Sequence, residues 1–152
     1  MNKYPWHVLI VGFVVLGVDQ LSKWVILNYF PYLIVWNYHG ALGVMPWWVS
    51  LIGLIFLGGY LFSSYSFKVV HCRLASIRIF FSWSSIMNLD RDCISFLVLV
   101  AIWMGGFGNV IDRILYGAVV DFIAIWQFPV FNIADVVISV GAGVLVLLNV
   151  NK

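Results

Sequence analysis

The sequence predicts an all-α membrane protein with four transmembrane helices, on three observations. Of 152 residues, 64% are apolar and only 9% charged, whereas a soluble domain of this size carries roughly a quarter charged residues to cover its surface. The apolar residues fall into four continuous runs, each near the ~20 residues that cross a bilayer. All four prolines, Pro5, Pro31, Pro46 and Pro129, lie at or outside the ends of those runs, where a missing amide proton costs least. Together these exclude a soluble globule, a disordered chain and a nucleic-acid binder held by basic patches. A transmembrane barrel would need alternation instead of continuous runs.

The runs are 6–26, 47–67, 94–111 and 132–150, and the whole chain, 1–152, reads as one integral-membrane domain. The first run follows a single early cation, Lys3, and leads to Asp19 and Lys23 with no small-residue cleavage site. It therefore reads as a retained span and not a signal peptide. With the N-terminus in the cytoplasm, Lys3, Lys68, Arg73, Arg78, Arg91 and Lys152 lie inside, leaving Lys23 and Arg113 on the outer side. That bias satisfies the positive-inside tendency, so both termini are expected to be cytoplasmic. The connection at 68–93 mixes Arg with Phe and Trp and reads as either a basic loop or an amphipathic helix on the inner leaflet. Cys72 and Cys93, on that reducing side, are expected to be free thiols.

The acidic residues carry the functional argument. Glu is absent, and the six Asp are Asp19, Asp90, Asp92, Asp112, Asp121 and Asp135. Asp90 and Asp92 read as solvated loop charges. The other four fall near the outer face, and an ionised Asp in a spanning helix costs roughly 2.5–3.5 kcal/mol on insertion scales, so one shared polar site is expected. Asn109 with Asp112, and Asn132 with Asp135, repeat one spacing of three, which puts each pair on one helix face if the segment is helical. Asp121 lies between them in a β-branched stretch, VVDFI, with strand character. Asp19 and Lys23 stand four apart, the spacing of a helix ion pair, which lowers the cost of burying either. Arg113 beside Asp112 is expected to neutralise a carboxylate.

Exclusion narrows the chemistry. Without Glu there is no HExxH, and His7, His39 and His71 are scattered across both membrane sides, so no zinc site is expected. No GxSxG elbow or phosphate-binding loop occurs, and the consecutive Ser22 and Lys23 point to different helix faces. Paired Asp remain. Two carboxylates held close cannot both ionise cheaply, so one keeps a proton while the other stays anionic, which supplies the acid and the base for peptide hydrolysis without a metal. Spacing alone leaves open which two of the four pair. Intramembrane Asp also serve as proton relays in transporters, so a proton-coupled small transporter is the alternative, although the broken helices expected of one are not evident.

The blocks DQLSK, WNYHGALG, GNVIDR with GAVVDFI, and FNIADVVISVGAG resemble the lipoprotein signal peptidase family, also called signal peptidase II, in the family's order and everywhere outside the 68–93 connection. The resemblance implies a four-span aspartyl endopeptidase of the bacterial cell inner membrane, with its site near the outer face. Such an enzyme removes the signal peptide from diacylglyceryl-modified prolipoproteins, cutting before the lipidated Cys, and is inhibited by globomycin-type peptides. By motif position it puts the catalytic pair on Asp121 and Asp135. Asp19, Lys23, Asn37, Asn109, Asp112, Arg113 and Asn132 fall at positions that bind substrate or support the site. It implies no cofactor and no metal. It also implies that the connection after the first span forms a small extracytoplasmic β platform, for which the Tyr, Trp and Val between Pro31 and Pro46 suit. Trp36, Trp47 and Trp48 would lie at headgroup depth. His39 stands where the family carries Gly, and Leu42 where it carries Phe, so the loop geometry there is expected to differ. A catalytically silent relative that binds precursors is the reading those departures would support.

Overall fold

The computed structural model describes residues 6–39, 47–72 and 91–150. Its first element, α1 (Trp6–Tyr29), holds for 24 residues, about 36 Å at 1.5 Å per residue, because nothing inside the run removes a backbone donor. It stops before Pro31, which disfavours helical backbone in the residue ahead of it. Phe30 accordingly leaves the helix at φ −135°, and Pro31 opens a short 3-10 turn, Pro31–Leu33. Strand β1 (Val35–Asn37) follows, then α2 (Trp47–Cys72) and α3 (Arg91–Tyr116).

Helix α3 ends on Gly117, whose φ of +76° and amide bond to the Arg113 carbonyl at 3.0 Å form a left-handed cap that suits glycine. The chain then turns into β2 (Val119–Asp121), every residue of which is buried. The strands β1 and β2 pair antiparallel, with Val35 opposite Asp121, Trp36 opposite Val120 and Asn37 opposite Val119. Beyond β2 the chain folds into a hairpin closed by paired backbone bonds between Ile123 and Phe131, at 2.8 and 3.0 Å. At its tip Phe128 N–H donates to the Ile125 carbonyl at 2.9 Å. Trp126, inside that turn, has φ +42°, a conformation that costs a bulky residue of order 1–3 kcal/mol. The last helix, α4 (Ile133–Val150), starts two residues later than Phe131.

Helix α3 is central, packing on α1, α2 and α4. Its approach to α4 depends on Gly105, where a Cβ would lie 3.2 Å from the Ala134 carbonyl oxygen; small residues at such crossings let membrane helices come close. Against α2, Leu61 and Phe96 anchor an apolar cluster with Leu57, Leu97, Val100 and Trp103, and the Trp103 indole donates to the Leu54 carbonyl at 3.0 Å. Burial is otherwise inverted. The largest fully buried side chains include Asp19, Lys23, Asp112, Asp121 and Asn132, while Phe13, Leu21, Phe56, Ile114 and Leu147 are exposed. A chain folded in water would bury the second set and expose the first; lipid as solvent explains both.

All four predicted runs are helical, at 6–29, 47–72, 91–116 and 133–150. Two carry stretches long and apolar enough to cross a membrane, Ile10–Tyr29 and Cys93–Tyr116, and the apolar stretches of the other two are shorter, Trp48–Leu61 and Ile133–Leu148. The small sheet expected between the first two runs is present, but only its first strand comes from there. The 68–93 connection shrinks, because α2 continues to Cys72 and α3 starts at Arg91; the amphipathic helix expected there and the Leu42 position lie outside the described residues. The earlier start of α3 also takes Cys93 into a buried position in its first turn. It is disulfide-bonded, not the expected free thiol. His39 needs no left-handed backbone, since Trp126 is the non-glycine residue with positive φ among the described residues.

Candidate active site

At the end of the bundle where β1 and β2 lie, polar side chains from five elements converge. One part centres on Lys23 of α1, which is buried. Its ammonium lies 2.7 Å from Asp19 Oδ2 and 2.7 Å from Asp112 Oδ2, and donates to Asn109 Oδ1 at 3.0 Å. The Asp19–Lys23 pair is the predicted helix pair. Asp112, however, is neutralised by Lys23 and not by Arg113, because consecutive residues on a helix point about 100° apart. The Arg113 guanidinium turns instead to two carbonyls, Asn109 at 3.3 Å and His39 at 2.7 Å, tying the chain after β1 to α3. Its Nε is buried without a partner among the described residues.

Each acid of this cluster also holds backbone. Asp112 Oδ2 accepts the Val120 amide at 3.2 Å, fixing β2 beside α3. Asp19 Oδ1 accepts the Ala134 amide at 2.9 Å, so a carboxylate from α1 satisfies a free N–H in the first turn of α4, where negative charge is favoured. Gln20, which the motif reading passed over, donates to Asp112 Oδ1 at 3.0 Å and lies 3.2 Å from Asp19 Oδ2 and 3.3 Å from the Gly108 carbonyl. Its signal was an uncharged amide inside an apolar run, next to Asp19.

Asp121 and Asp135 join this assembly through Asn132 and Asn109. Asp121 ends β2, and its carboxylate accepts from two amides, Asn132 Nδ2 at 2.6 Å and Asn37 Nδ2 at 3.0 Å. Asn37 is itself oriented by the His39 amide on its Oδ1, 3.1 Å, an Asx-type turn. Asp135 accepts from Asn109 Nδ2 at 2.9 Å. It also accepts the Asn132 amide at 3.3 Å, while Asn132 Oδ1 takes the Asp135 amide at 3.0 Å. That reciprocal pair is a capping box, so the second Asn-to-Asp spacing is a helix start and not two residues on one helix face. Nor does Asn109 serve the Asp three residues on; it bridges to Asp135. The Asn132 amide, 3.1 Å from Asn109 Oδ1, joins the two halves.

Burial pushes the Asp121 carboxyl up to about 6, opposed by the amides of Asn37 and Asn132 and by Lys23, and reinforced by the nearby charge of Asp135. A carboxyl titrating there exchanges protons close to neutrality, as acid and base catalysis requires. Among the described residues no group of three His, Cys, Asp or Glu is placed to hold a metal ion. All nine residues singled out in the sequence, Asp19, Lys23, Asn37, Asn109, Asp112, Arg113, Asp121, Asn132 and Asp135, belong to this one network.

Residues 11–151 match the family model of signal peptidase (SPase) II. The chain belongs to the signal peptidase II family. It is similar to the lipoprotein signal peptidase of Wigglesworthia glossinidia brevipalpis, 34% identical over an alignment 140 positions long, gaps included, that covers 82% of this chain and 81% of the relative. The lipoprotein signal peptidase of Neisseria gonorrhoeae (strain ATCC 700825 / FA 1090) is 32% identical over an alignment 162 positions long, gaps included, that covers 98% of this chain and 91% of that one. Among solved structures, a bacterial membrane enzyme determined at 2.3 Å resolution by the in meso method superposes with a TM-score of 0.63 at 22% identity, covering 95% of this chain and 88% of that chain. A second, at 1.9 Å, gives 0.62 at 21% identity, covering 93% and 90%. These two share the fold of this signal peptidase II family member.

Proposed function

We propose that this protein is an aspartic endopeptidase of the bacterial inner membrane that removes signal peptides from diacylglyceryl-modified prolipoproteins, cutting before the lipidated Cys. Asp121 and Asp135 are its catalytic pair. The observation that carries this reading is Asn132, whose side chain donates to Asp121 at 2.6 Å while its backbone is locked to Asp135 in the capping box. One residue thus sets the positions of both carboxylates.

In the mechanism, the pair shares one proton. The anionic carboxylate takes a proton from a water molecule as its oxygen attacks the scissile carbonyl carbon, and the protonated partner donates to the carbonyl oxygen. The resulting tetrahedral diol collapses by breaking the C–N bond. The carboxylate that gained the water's proton gives it to the leaving amine, and the other recovers its proton from a hydroxyl of the diol. Neighbouring amides donate to the anionic forms and hold them where they act. Four spans with both termini in the cytoplasm would put the pair at the outer boundary, where a lipidated Cys meets the headgroups.

Purified protein in detergent, incubated with a diacylglyceryl-modified precursor, is the test. Cleavage is expected to resist chelators, to stop with globomycin, and to vanish in Asp121→Asn and in Asp135→Asn while thermal unfolding shows both variants folded. Retained cleavage in either variant rejects the assignment.

A further inference from the structure

The segment between the two aspartates, 122–134, holds no charged residue and projects a tip that touches little of the protein. Trp126 is 95% exposed, and Ile125 and Phe128 are exposed beside it. The tip is also where the backbone is strained, at the left-handed Trp126. A bulky residue kept in a turn position that glycine occupies more easily, without packing to compensate, is an outlier that points toward function.

We propose that this tip is a membrane anchor that inserts Trp126 and Phe128 into the headgroup layer of the outer leaflet and so fixes the depth of the loop joining Asp121 to Asp135. The reading depends on the chain being in a membrane, but not on the roles of the two aspartates. Its occupant follows from position. Helix α4, 18 residues long, rises about 27 Å, close to the ~30 Å hydrocarbon core, so its start at Ile133 stands near the core boundary. The tip lies three residues beyond the Ile123–Phe131 bridge, about 10 Å at strand rise. That is comparable to the 5–8 Å or so of headgroup region on each side of the core. Other exposed aromatic side chains, Trp24, Tyr29, Trp36 and Tyr116, already lie toward this end of the bundle. Aromatic side chains with no charge among them favour that layer over bulk water.

The test puts a nitroxide on Gln127→Cys, an exposed tip position that leaves Trp126 and Phe128 in place. The protein is labelled without reductant and reconstituted in phosphatidylethanolamine and phosphatidylglycerol vesicles, with the unsubstituted chain as labelling control. Collision rates with oxygen and with a water-soluble nickel complex report depth. The expected result is a probe shielded from nickel and accessible to oxygen with no precursor present, and several-fold more nickel contact once Trp126→Ser and Phe128→Ser are added. A probe fully open to nickel in vesicles overturns the proposal. So does shielding that is unchanged by the two serines, or shielding that arises only when a precursor is added, which would make the tip a substrate contact. Cleavage plays no part in the readout, so its outcome is separate from that of the aspartic mechanism.

Discussion

Lys23→Met is the perturbation that most directly probes how the buried network is held together. Met has a similar reach and volume, so little is lost in packing. What is lost is the cation between Asp19 and Asp112, both 2.7 Å away and both buried to 1% exposure or less. Removing one partner of a buried ion pair costs about 3–5 kcal/mol, because the remaining charge is desolvated without compensation. Here two carboxylates would be left. At about 2–4 °C per kcal/mol for a chain of this size, the unfolding midpoint in detergent is expected to fall by roughly 6–20 °C. Neutralising both acids as well, in Lys23→Met/Asp19→Asn/Asp112→Asn, removes the unpaired charges while the side-chain carbonyl introduced in place of the Asp19 carboxylate can still accept the Ala134 amide. The triple variant is expected to recover most of the loss. Thermal unfolding of the three proteins at one detergent concentration decides the matter: a single variant that melts with the parent, or a triple variant no more stable than the single, would refute the view that charge compensation at Lys23 holds α1, α3 and α4 together.

Asp121 binds its proton more tightly in the folded chain, at about 6, than at the ordinary 3.8. Stability should therefore decline as pH rises from about 4 to 6 and then level off, by about 3 kcal/mol for this group. Asp121→Asn should flatten that part of a melting-point series against pH, and an unchanged profile would count against the proton affinity inferred for this site. Cleavage by the intact protein is expected to fall on the alkaline side of a limb near 6 in kcat/KM, as the shared proton is lost; a limb displaced by several pH units in free enzyme would argue that Asp121 is not the titrating group. Asn132→Ala removes the amide shared by Asp121 and Asn109 as well as the cap on α4, and should lower kcat at least ~100-fold with a loss of about 1–3 kcal/mol in stability. Near-normal turnover there would remove Asn132 from its positioning role. Gly105→Ala pushes a methyl to 3.2 Å from the Ala134 carbonyl, where the obstacle is backbone; a destabilisation of about 1–3 kcal/mol is expected, and an unchanged melting point would show that α3 and α4 can separate freely.

The membrane character of the chain and the places of its four helices were legible from one dimension, because lipid demands long uninterrupted apolar runs and penalises proline within them. The members of the polar network were legible for the complementary reason. In a chain this poor in charge, each Asp, Lys or Asn inside an apolar run must be compensated, so their mere presence marks the place. Partnership was not legible. Asp112 pairs with Lys23 from another helix in preference to its neighbour Arg113, Asn109 serves Asp135 and not Asp112, and Asp19 holds the first turn of a helix 115 positions away. Local spacing specifies which residues can share a face of one helix, and these contacts run between elements. The same limit explains Gln20 and the capping box at Asn132, whose meaning depends on what stands opposite. The amino-acid order thus determined the apolar character, the four helices and the cast of polar residues. The packing of α1, α3 and α4 around β2 decided which of them meet, since only a close crossing at Gly105 and a strand anchored by Asp112 bring charges from distant segments within hydrogen-bonding range.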